Sequence, residues 1–203
     1  SKDIMQFWLA AVCFFQTMLL SLDAKSGGVL SKNQQAMDVS HYDLDLNINP
    51  HSKSIQGSVL IHFQMHEITP SIEIDLLETF SVTGVTINGM SLGFSREKNK
   101  VYIDNPGLDP FKIHELKVTY GGKPPEAKNP PWDGGFTWKR SEDGSSWVGV
   151  SCQSNGAYIW YPCKEHPSDK ADSADIKITA PEPLMAVSNG LLVSKTKLDN
   201  KMI

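Results

Sequence analysis

The stretch YDLDLNI, residues 42 to 48, alternates large apolar side chains with Asp and Asn, and this alternation decides the fold class. Successive side chains of a β-strand point to opposite faces, so the pattern is typical of a strand with one buried and one solvated face. The same alternation returns along the chain at Val59 to Met65, Ile72 to Leu76, Val85 to Ile87, Val101 to Ile103, Leu116 to Tyr120 and Ile176 to Ile178. We therefore predict an all-β, sandwich-like domain of mainly antiparallel sheets.

Turn signals support this prediction. Asn88-Gly89 directly after Ile87 is a strong signal for a two-residue hairpin turn. The segments GGFTWKR and SSWVGVS, residues 134–140 and 145–151, are predicted to form a second hairpin that turns at 141–144. Beyond the N-terminal leader, no stretch shows a convincing helical period.

Length and charge limit the class of protein. The chain has 203 residues, which suits one large domain or one domain with appendages, and its net charge is −4 with no Lys/Arg-rich run. Proteins that bind nucleic acid usually carry a basic face, so nucleic acid is not expected as a partner.

The first 26 residues differ in kind from the rest. No charged residue occurs from Ile4 to Leu22, Lys2 precedes this run, and Ala24-Lys25-Ser26 fits a small-x-small cleavage site. We predict a secretory signal peptide at 1–26 with a hydrophobic helix, a linker or extended lead-in at 27–40 and the β domain at 41–203. The run is also long enough for a retained membrane anchor, and a buried core helix is a third possibility.

This leader predicts an exported protein, periplasmic or extracellular, which contacts a membrane only if the leader is retained as an anchor. In an exported chain Cys152 and Cys163 could form a disulfide, but the sequence does not decide whether they do.

The histidines do not predict a metal site. His62 and His66 in HFQMHE are four apart, but they lie on a predicted strand, where that spacing separates them by about 13 Å. The H-E-x-x-H zinc motif instead needs a helix, on which two histidines four apart share one face. His166, Asp169 and Asp172 could hold a cation, but their spacing with Pro and Ser equally describes a capped turn. No nucleophile, phosphate-binding or dinucleotide motif occurs, so no catalytic residue and no metal ligand are predicted in this chain.

Aromatic residues cluster in one third of the domain. Four of the five Trp lie between residues 132 and 160, together with Phe136, Tyr158 and Tyr161. Such a cluster indicates either the core of a second sheet or a binding surface.

The segment from Trp147 to Gly190 closely resembles the N-terminal β domain of the zinc aminopeptidases of the aminopeptidase N and leukotriene-hydrolysing type, which are gluzincin peptidases. The opening strand VSHYDLDLNIN, residues 39–49, is also similar, so that the resemblance covers roughly 40–203. The points of likeness are Gln153 before Gly156-Ala157, then Tyr161-Pro162-Cys163, Lys164-Glu165-His166-Pro167, Asp169, Asp172-Ser173 and Val187-Ser188-Asn189-Gly190.

The resemblance implies a saddle-shaped domain followed in the chain by a thermolysin-like catalytic domain. There the zinc sits on H-E-x-x-H plus a later Glu, and a G-x-M-E-N loop binds the free amine of the peptide. Neither motif occurs in this sequence. We therefore expect zinc only in a longer protein and a chain truncated at its C-terminus, and we expect this chain alone neither to bind the catalytic zinc nor to cleave peptides.

The resemblance also assigns the binding residues. It implies that Gln153 contacts the terminal ammonium of the peptide, with Ser151 and Cys152 lining the same edge through their backbones. A Gln amide oxygen accepts a hydrogen bond from an ammonium group but lacks the charge of a Glu. This chain departs from the usual pattern at Trp160-Tyr161-Pro162, where relatives often have Trp-Trp-Pro, and at Lys164-Glu165, where Lys-Asp is commoner.

The sequence is compatible with two other functions. The chain could be a stand-alone secreted β-sandwich module that binds carbohydrate or protein through its Trp cluster. It could also be a non-catalytic docking domain for a separate partner chain.

Overall fold

The computed structural model describes residues 27–198 and 201–202, and most of these residues lie in β-strands or the loops that join them. The predicted leader, 1–26, lies outside the described residues. Within the described part of the chain, no helix is long and apolar enough to cross a membrane.

A single-turn helix precedes the strands. The helix is α1 (Lys32–Gln35), and a 3-10 turn lies later in the chain at Ala157–Ile159. The strands are β1 (Met37–Asn49), β2 (Ser54–Met65), β3 (Ser71–Asp75), β4 (Phe80–Ile87), β5 (Met90–Ser91), β6 (Phe94–Glu97), β7 (Lys100–Asp104), β8 (Ile113–Gly122), β9 (Gly135–Arg140), β10 (Ser146–Ser151), β11 (Ser173–Pro181), β12 (Lys197–Leu198) and β13 (Lys201–Met202).

The strands form three sheets. The largest has the order β12-β13-β11-β1-β2-β8-β4-β5, and β3-β7-β6 and β10-β9 form a three-stranded and a two-stranded sheet. Among these strands every pair is antiparallel except β1 with β11, which run parallel with Leu44 opposite Ile176. The mainly antiparallel all-β prediction is confirmed.

The predicted alternation is also the observed burial pattern. Leu44, Leu46, Val59 and Ile61 are fully buried or nearly so, while the Asp residues between them in β1 are exposed. Burying an aliphatic side chain of this size contributes about 1.5–3 kcal/mol. The apolar residues of β3 and β7 belong to the same core, so the three-stranded sheet packs against the largest one.

The first strand begins earlier than the sequence indicated. β1 starts at Met37, inside the segment 27–40 that we expected to be a linker or extended lead-in. Met37 pairs with Met65 and Val39 with Phe63, and all four side chains are buried. A bulge between Val39 and His41 interrupts the two-residue period, so the alternation of 42–48 could not be extended backwards from the sequence alone.

The predicted hairpins are confirmed. Asn88 and Gly89 both have positive φ, 50° and 81°, as a two-residue turn of this type requires. β9 and β10 pair from Arg140 with Ser146 to Gly135 with Ser151. This second hairpin delivers the chain to the segment that contains Gln153.

Candidate functional site

Gln153 lies on a tight turn that begins where β10 ends. The carbonyl of Cys152 accepts hydrogen bonds from the backbone N–H of Asn155, at 3.1 Å, and of Gly156, at 2.9 Å. Ser154 between them has φ of 63°, the left-handed conformation that closes such a turn. The Gln153 side chain is exposed, so its amide is available to a ligand.

Ser151 fixes the near end of this turn. Its hydroxyl donates to the carbonyl of Pro131 at 2.7 Å, which joins the end of β10 to the loop before β9. The backbone N–H of Gln153 points back to the same hydroxyl at 3.5 Å. The structure therefore gives the Ser151 side chain a structural contact of its own, besides the backbone role that the resemblance implies.

Cys152 and Cys163 are both free thiols. Cys152 is an exposed residue, yet partial burial of the thiol raises its pKa, an effect that the Trp160 indole opposes. Burial, followed by the nearby charges of Glu165 and Asp75, raises the pKa of the buried Cys163 thiol well above its ordinary value. Both thiols are therefore protonated near neutral pH, which is unsuited to nucleophilic chemistry because the thiolate is the reactive form.

The far end of the turn is fixed by Glu165. Its carboxylate oxygen Oε2 accepts hydrogen bonds from the backbone N–H of Ala157, at 2.5 Å, and of Tyr158, at 3.2 Å. These are the first N–H groups of the 3-10 turn, which have no partner within the turn itself. The backbone N–H of Glu165 donates in turn to Asp75 Oδ2 at 3.0 Å.

Beneath Glu165 lies a buried polar network that the sequence did not reveal. Lys100 Nζ lies 2.6 Å from Asp75 Oδ1 and 3.1 Å from Glu73 Oε1, and Gln34 Nε2 donates to Asp75 Oδ2 at 2.6 Å. Burial raises the pKa of Asp75 although the hydrogen bond and charge of Lys100 oppose the shift. Burial lowers the pKa of Lys100, but its contacts with Asp75 and Glu73 outweigh this and leave it raised.

The sequence pattern conceals this network because β3 is buried on both faces. The alternation of Ile72 and Ile74 correctly predicted one buried face, and the polar residues between them were expected to be solvated. Glu73 and Asp75 are instead 2% and 7% exposed, covered by α1 and the segment around Glu165. The burial of an acidic residue on a strand depends on partners that are distant in the sequence. A local sequence pattern does not show which residues these partners are.

The residues after Glu165 form the capped turn that was one of the two alternatives for His166, Asp169 and Asp172. Lys164 Nζ bonds the Asp169 carboxylate, and both groups are buried. His166 contacts Ser168 Oγ at 2.6 Å and the carbonyl of Gly28 at 3.0 Å. Among the described residues, no group of three His, Cys, Asp or Glu is placed to hold a metal ion.

The two strand histidines lie as the alternation predicts. His62 is half-buried on the polar face of β2, where Nε2 lies 4.0 Å from Glu115 Oε1, and His66 is exposed beyond the end of that strand. They flank the buried positions Phe63 and Met65.

The Trp cluster is divided between core and surface. Trp138 stacks on the buried Phe136 at a ring distance of 5.2 Å, and Trp160 packs edge-on against Tyr161 at 4.7 Å. Trp132 and Trp147 are 70% and 54% exposed. Packing against the core therefore holds for Trp138 and Trp160, and the binding surface stays a prediction for the exposed Trp132 and Trp147.

A cleft of about 640 Å³ lies between the β1–β2 turn and the β9–β10 hairpin. Its lining includes Trp138, Trp147, Lys139 and Arg140, but not Ser151, Cys152 or Gln153. The cleft and the turn that carries Gln153 are therefore separate features of the surface.

The model of the Peptidase M1 N-terminal domain family matches residues 38–203, which is most of the chain. The chain belongs to this family. The match begins one residue after the start of β1 and therefore includes every strand that follows.

Solved structures show the same relationship. The chain is 26% identical, with a TM-score of 0.67, to an M1 zinc metallopeptidase variant from Deinococcus radiodurans bound to a Tyr-Ser-Ala substrate, over 83% of this chain and 38% of that one. It is 27% identical, with a TM-score of 0.69, to the same variant without that substrate, over 88% and 40%. Yeast LTA4 hydrolase, 21% identical with a TM-score of 0.68 over 89% and 27%, shares the fold. No curated protein sequence matches the chain.

The M1 relationship confirms the resemblance that the segment around Gln153 indicated. The chain spans well under half the length of each of these structures. The activity of a whole M1 protein is therefore a proposal for this chain.

Proposed function

We propose that this chain forms one side of the substrate cleft of a zinc aminopeptidase, in which Gln153 accepts a hydrogen bond from the terminal ammonium of a peptide. The observation that carries the proposal is the exposed Gln153 side chain on a turn whose two ends are fixed, one by Ser151 and the other by Glu165. A turn whose backbone is already fixed loses less conformational freedom on binding, so more of the interaction energy of the side chain it carries appears as affinity.

The hydrolytic chemistry would come from residues outside this sequence. Zinc in the complete enzyme would polarise the scissile carbonyl and activate water. The described residues include no cluster that fits a metal ion, so this chain is given no role in holding zinc. Ser151 and Cys152 would line the proposed substrate cleft, next to Gln153, through their backbones. The 203-residue chain alone is expected to be inactive.

We also propose that the leader is a signal peptide, that the domain is saddle-shaped and that the protein is exported. The charge-free run from Ile4 to Leu22 supports export to a periplasmic or extracellular site, with membrane attachment only if the leader is retained. Peptides with a free N-terminus and the catalytic domain are the proposed partners, and nucleic acid is not one.

The decisive experiment compares Gln153→Ala and Gln153→Glu in the full-length protein. We expect Ala to raise KM for a peptide with a free N-terminus about tenfold, as the loss of a hydrogen bond to a charged group does. We expect Glu to lower KM because it adds an opposite charge.

Gln56→Ala is the matched control, because Gln56 is also an exposed Gln of this domain and lines the separate cleft. It should leave KM unchanged. If Gln153→Ala also leaves KM unchanged, Gln153 does not bind the ammonium group.

One observation supports the second candidate, a carbohydrate-binding module. The six-membered ring of Trp147 lies against Gly149, since a Cβ on Gly149 would be 2.6 Å from it, and the exposed indole lines the cleft described above. Exposed aromatic rings offer flat apolar faces to ligands. Binding of a panel of oligosaccharides by the purified chain, lost in Trp147→Ala and retained in Trp132→Ala, would favour this candidate over the peptidase domain.

A further inference from the structure

We propose that Glu165 is a positioning residue for Gln153, because its carboxylate fixes the far end of the turn that presents the Gln153 amide. This inference rests on the proposed contact of Gln153 with the peptide ammonium. It adds a residue that does not touch substrate and whose effect on binding passes through Gln153.

The carboxylate of Glu165 replaces a missing helix cap. The residue before the 3-10 turn is Gly156, which has no side chain and makes no capping hydrogen bond. Glu165, eight residues later than Ala157, supplies the acceptor for the N–H groups of Ala157 and Tyr158. A hydrogen bond from a backbone N–H to a carboxylate is stronger than one to a neutral acceptor.

Gly156 is matched to this arrangement. A Cβ on Gly156 would lie 2.3 Å from the carboxyl carbon of Glu165, well inside any normal contact. The φ of Gly156 is +93°, a conformation that other residues rarely adopt. The Glu165 carboxylate therefore occupies the space that a side chain at 156 would need.

Glu165 is held on the other side by the core. Its N–H donates to Asp75 Oδ2, and Asp75 exchanges two backbone hydrogen bonds with Cys163, at 2.7 and 3.0 Å. Lys100 and Gln34 fix the Asp75 carboxylate in turn. A continuous chain of contacts thus leads from buried strand β3 through Glu165 to the turn.

Further contacts fix the same turn at its C-terminal side. The N–H of Leu77 donates to the carbonyl of Tyr158 at 2.9 Å, and the hydroxyl of Tyr120 donates to the carbonyl of Trp160 at 2.7 Å. Loss of the Glu165 contact should therefore loosen residues 152–157 without unfolding the segment as a whole.

The length of the Glu165 side chain is part of the arrangement. An Asp at this position would be one methylene shorter, which moves the carboxylate by about 1.5 Å. We expect Glu165→Asp to retain the charge but to lose at least one of the two N–H contacts. Glu165→Gln keeps the side-chain length and one oxygen. The strength of its contacts with the two N–H groups should therefore lie between that in Glu165→Asp and that in the native protein.

The first test is a double-mutant cycle in the full-length protein with Glu165→Ala and Gln153→Ala. We expect Glu165→Ala to raise KM for a free-amine peptide about fivefold to tenfold, while kcat changes less than about twofold. The reason is that the lost interaction stabilises the bound substrate and the transition state equally. In the Gln153→Ala background the same change should leave KM unaltered. A rise in KM that is equal in both backgrounds would overturn the positioning role.

The second test does not depend on activity. Amide hydrogen exchange at Ala157 and Tyr158 should be at least about tenfold faster in Glu165→Ala than in the native 203-residue chain, because those N–H groups lose their acceptor. Exchange at Leu44 and Ile61 in the largest sheet should not change, which shows that the variant is folded. Unchanged exchange at Ala157 and Tyr158 would overturn the inference.

Asp172→Ala is the matched control for both tests. Asp172 is an exposed acid of the same segment, and its backbone N–H donates to the carbonyl of Ser40. It should alter neither KM nor exchange in the turn.

The two proposals fail in different ways. If Gln153 does not contact the ammonium group, Gln153→Ala will not raise KM, while the exchange experiment still decides whether Glu165 fixes the turn. If Gln153→Ala raises KM and Glu165→Ala does not, the function stands and the positioning role is wrong.

Discussion

The largest sheet and the segment 146–169 are stabilised by different physics. In β1, β2 and β8 an alternation, interrupted in β1 by the bulge between Val39 and His41, buries apolar side chains on one face, and backbone ladders pair almost every residue. In the second region carboxylates, amides and hydroxyls fix irregular backbone, as Glu165 and Ser151 do. Apolar burial is non-directional and supplies stability, whereas hydrogen bonds set the position of individual groups.

Substitutions can test this difference, and the largest expected effect lies in the sheet. Phe63→Ala should lower the free energy of unfolding by about 3–5 kcal/mol, because it leaves a cavity at a fully buried position of β2. Urea unfolding of the 203-residue chain measures this. The neighbouring variant His62→Ala, on the opposite face, should change the free energy by less than about 1 kcal/mol. Equal losses in the two variants would contradict the assigned faces.

The next largest effect is expected in the polar network of β3 and β7, which contacts segment 146–169 through Asp75. Lys100→Met should lower the free energy of unfolding by about 3 kcal/mol, because it leaves the carboxylates of Glu73 and Asp75 buried without their cation. Lys117→Met, at an exposed position of β8, is the control and should change it by less than about 0.5 kcal/mol.

The same variant makes a prediction about pH. Asp75 has a raised pKa in the folded chain, so the stability linked to its protonation is fully present below its unfolded pKa and is lost as pH rises through the folded one. Without Lys100 its hydrogen bond and charge no longer oppose the effect of burial, so the pKa of Asp75 should rise further and ionisation of the carboxyl should destabilise the fold more. The destabilisation by Lys100→Met should therefore grow as pH rises from about 4 to about 7. Urea titrations across this range that show a constant difference would refute the pairing.

The smallest effects are expected on the turn itself. Ser151→Ala should cost about 1 kcal/mol through loss of the hydrogen bond to Pro131, and Gln153→Ala less than about 0.5 kcal/mol because its side chain is exposed. A stability loss in Gln153→Ala comparable to that in Ser151→Ala would indicate a structural rather than a binding role for Gln153.

The difference between the largest sheet and segment 146–169 also explains which parts of the structure could be predicted from the sequence alone. The strands from Tyr42 to Ile48 and from Val59 to Met65 were predictable because local periodicity records which face is buried. The Asn88-Gly89 hairpin was predictable because its backbone conformation favours those two residues.

What sequence reasoning missed depends on partners distant in the chain. Glu73 and Asp75 look like the solvated residues of an alternating strand. Their burial is made tolerable by distant partners, among them Lys100, Gln34 and the N–H of Glu165. β6 was not predicted because it is short and largely exposed, so its sequence has no alternation of buried and exposed residues. Gln153 was selected by resemblance, and its local sequence carries no pattern that marks it as a binding residue.

The parallel pairing of β1 with β11 also bears on how the protein is made. β2 follows β1 along the chain after four residues, but Asp45 of β1 meets Lys177 of β11, 132 residues later. One edge of β1 therefore stays open on the ribosome until β11 has been synthesised. Contacts this distant slow folding, and an unpaired edge invites association with other chains. The negative charges of Asp43 and Asp45 on this strand would repel such partners until β11 arrives.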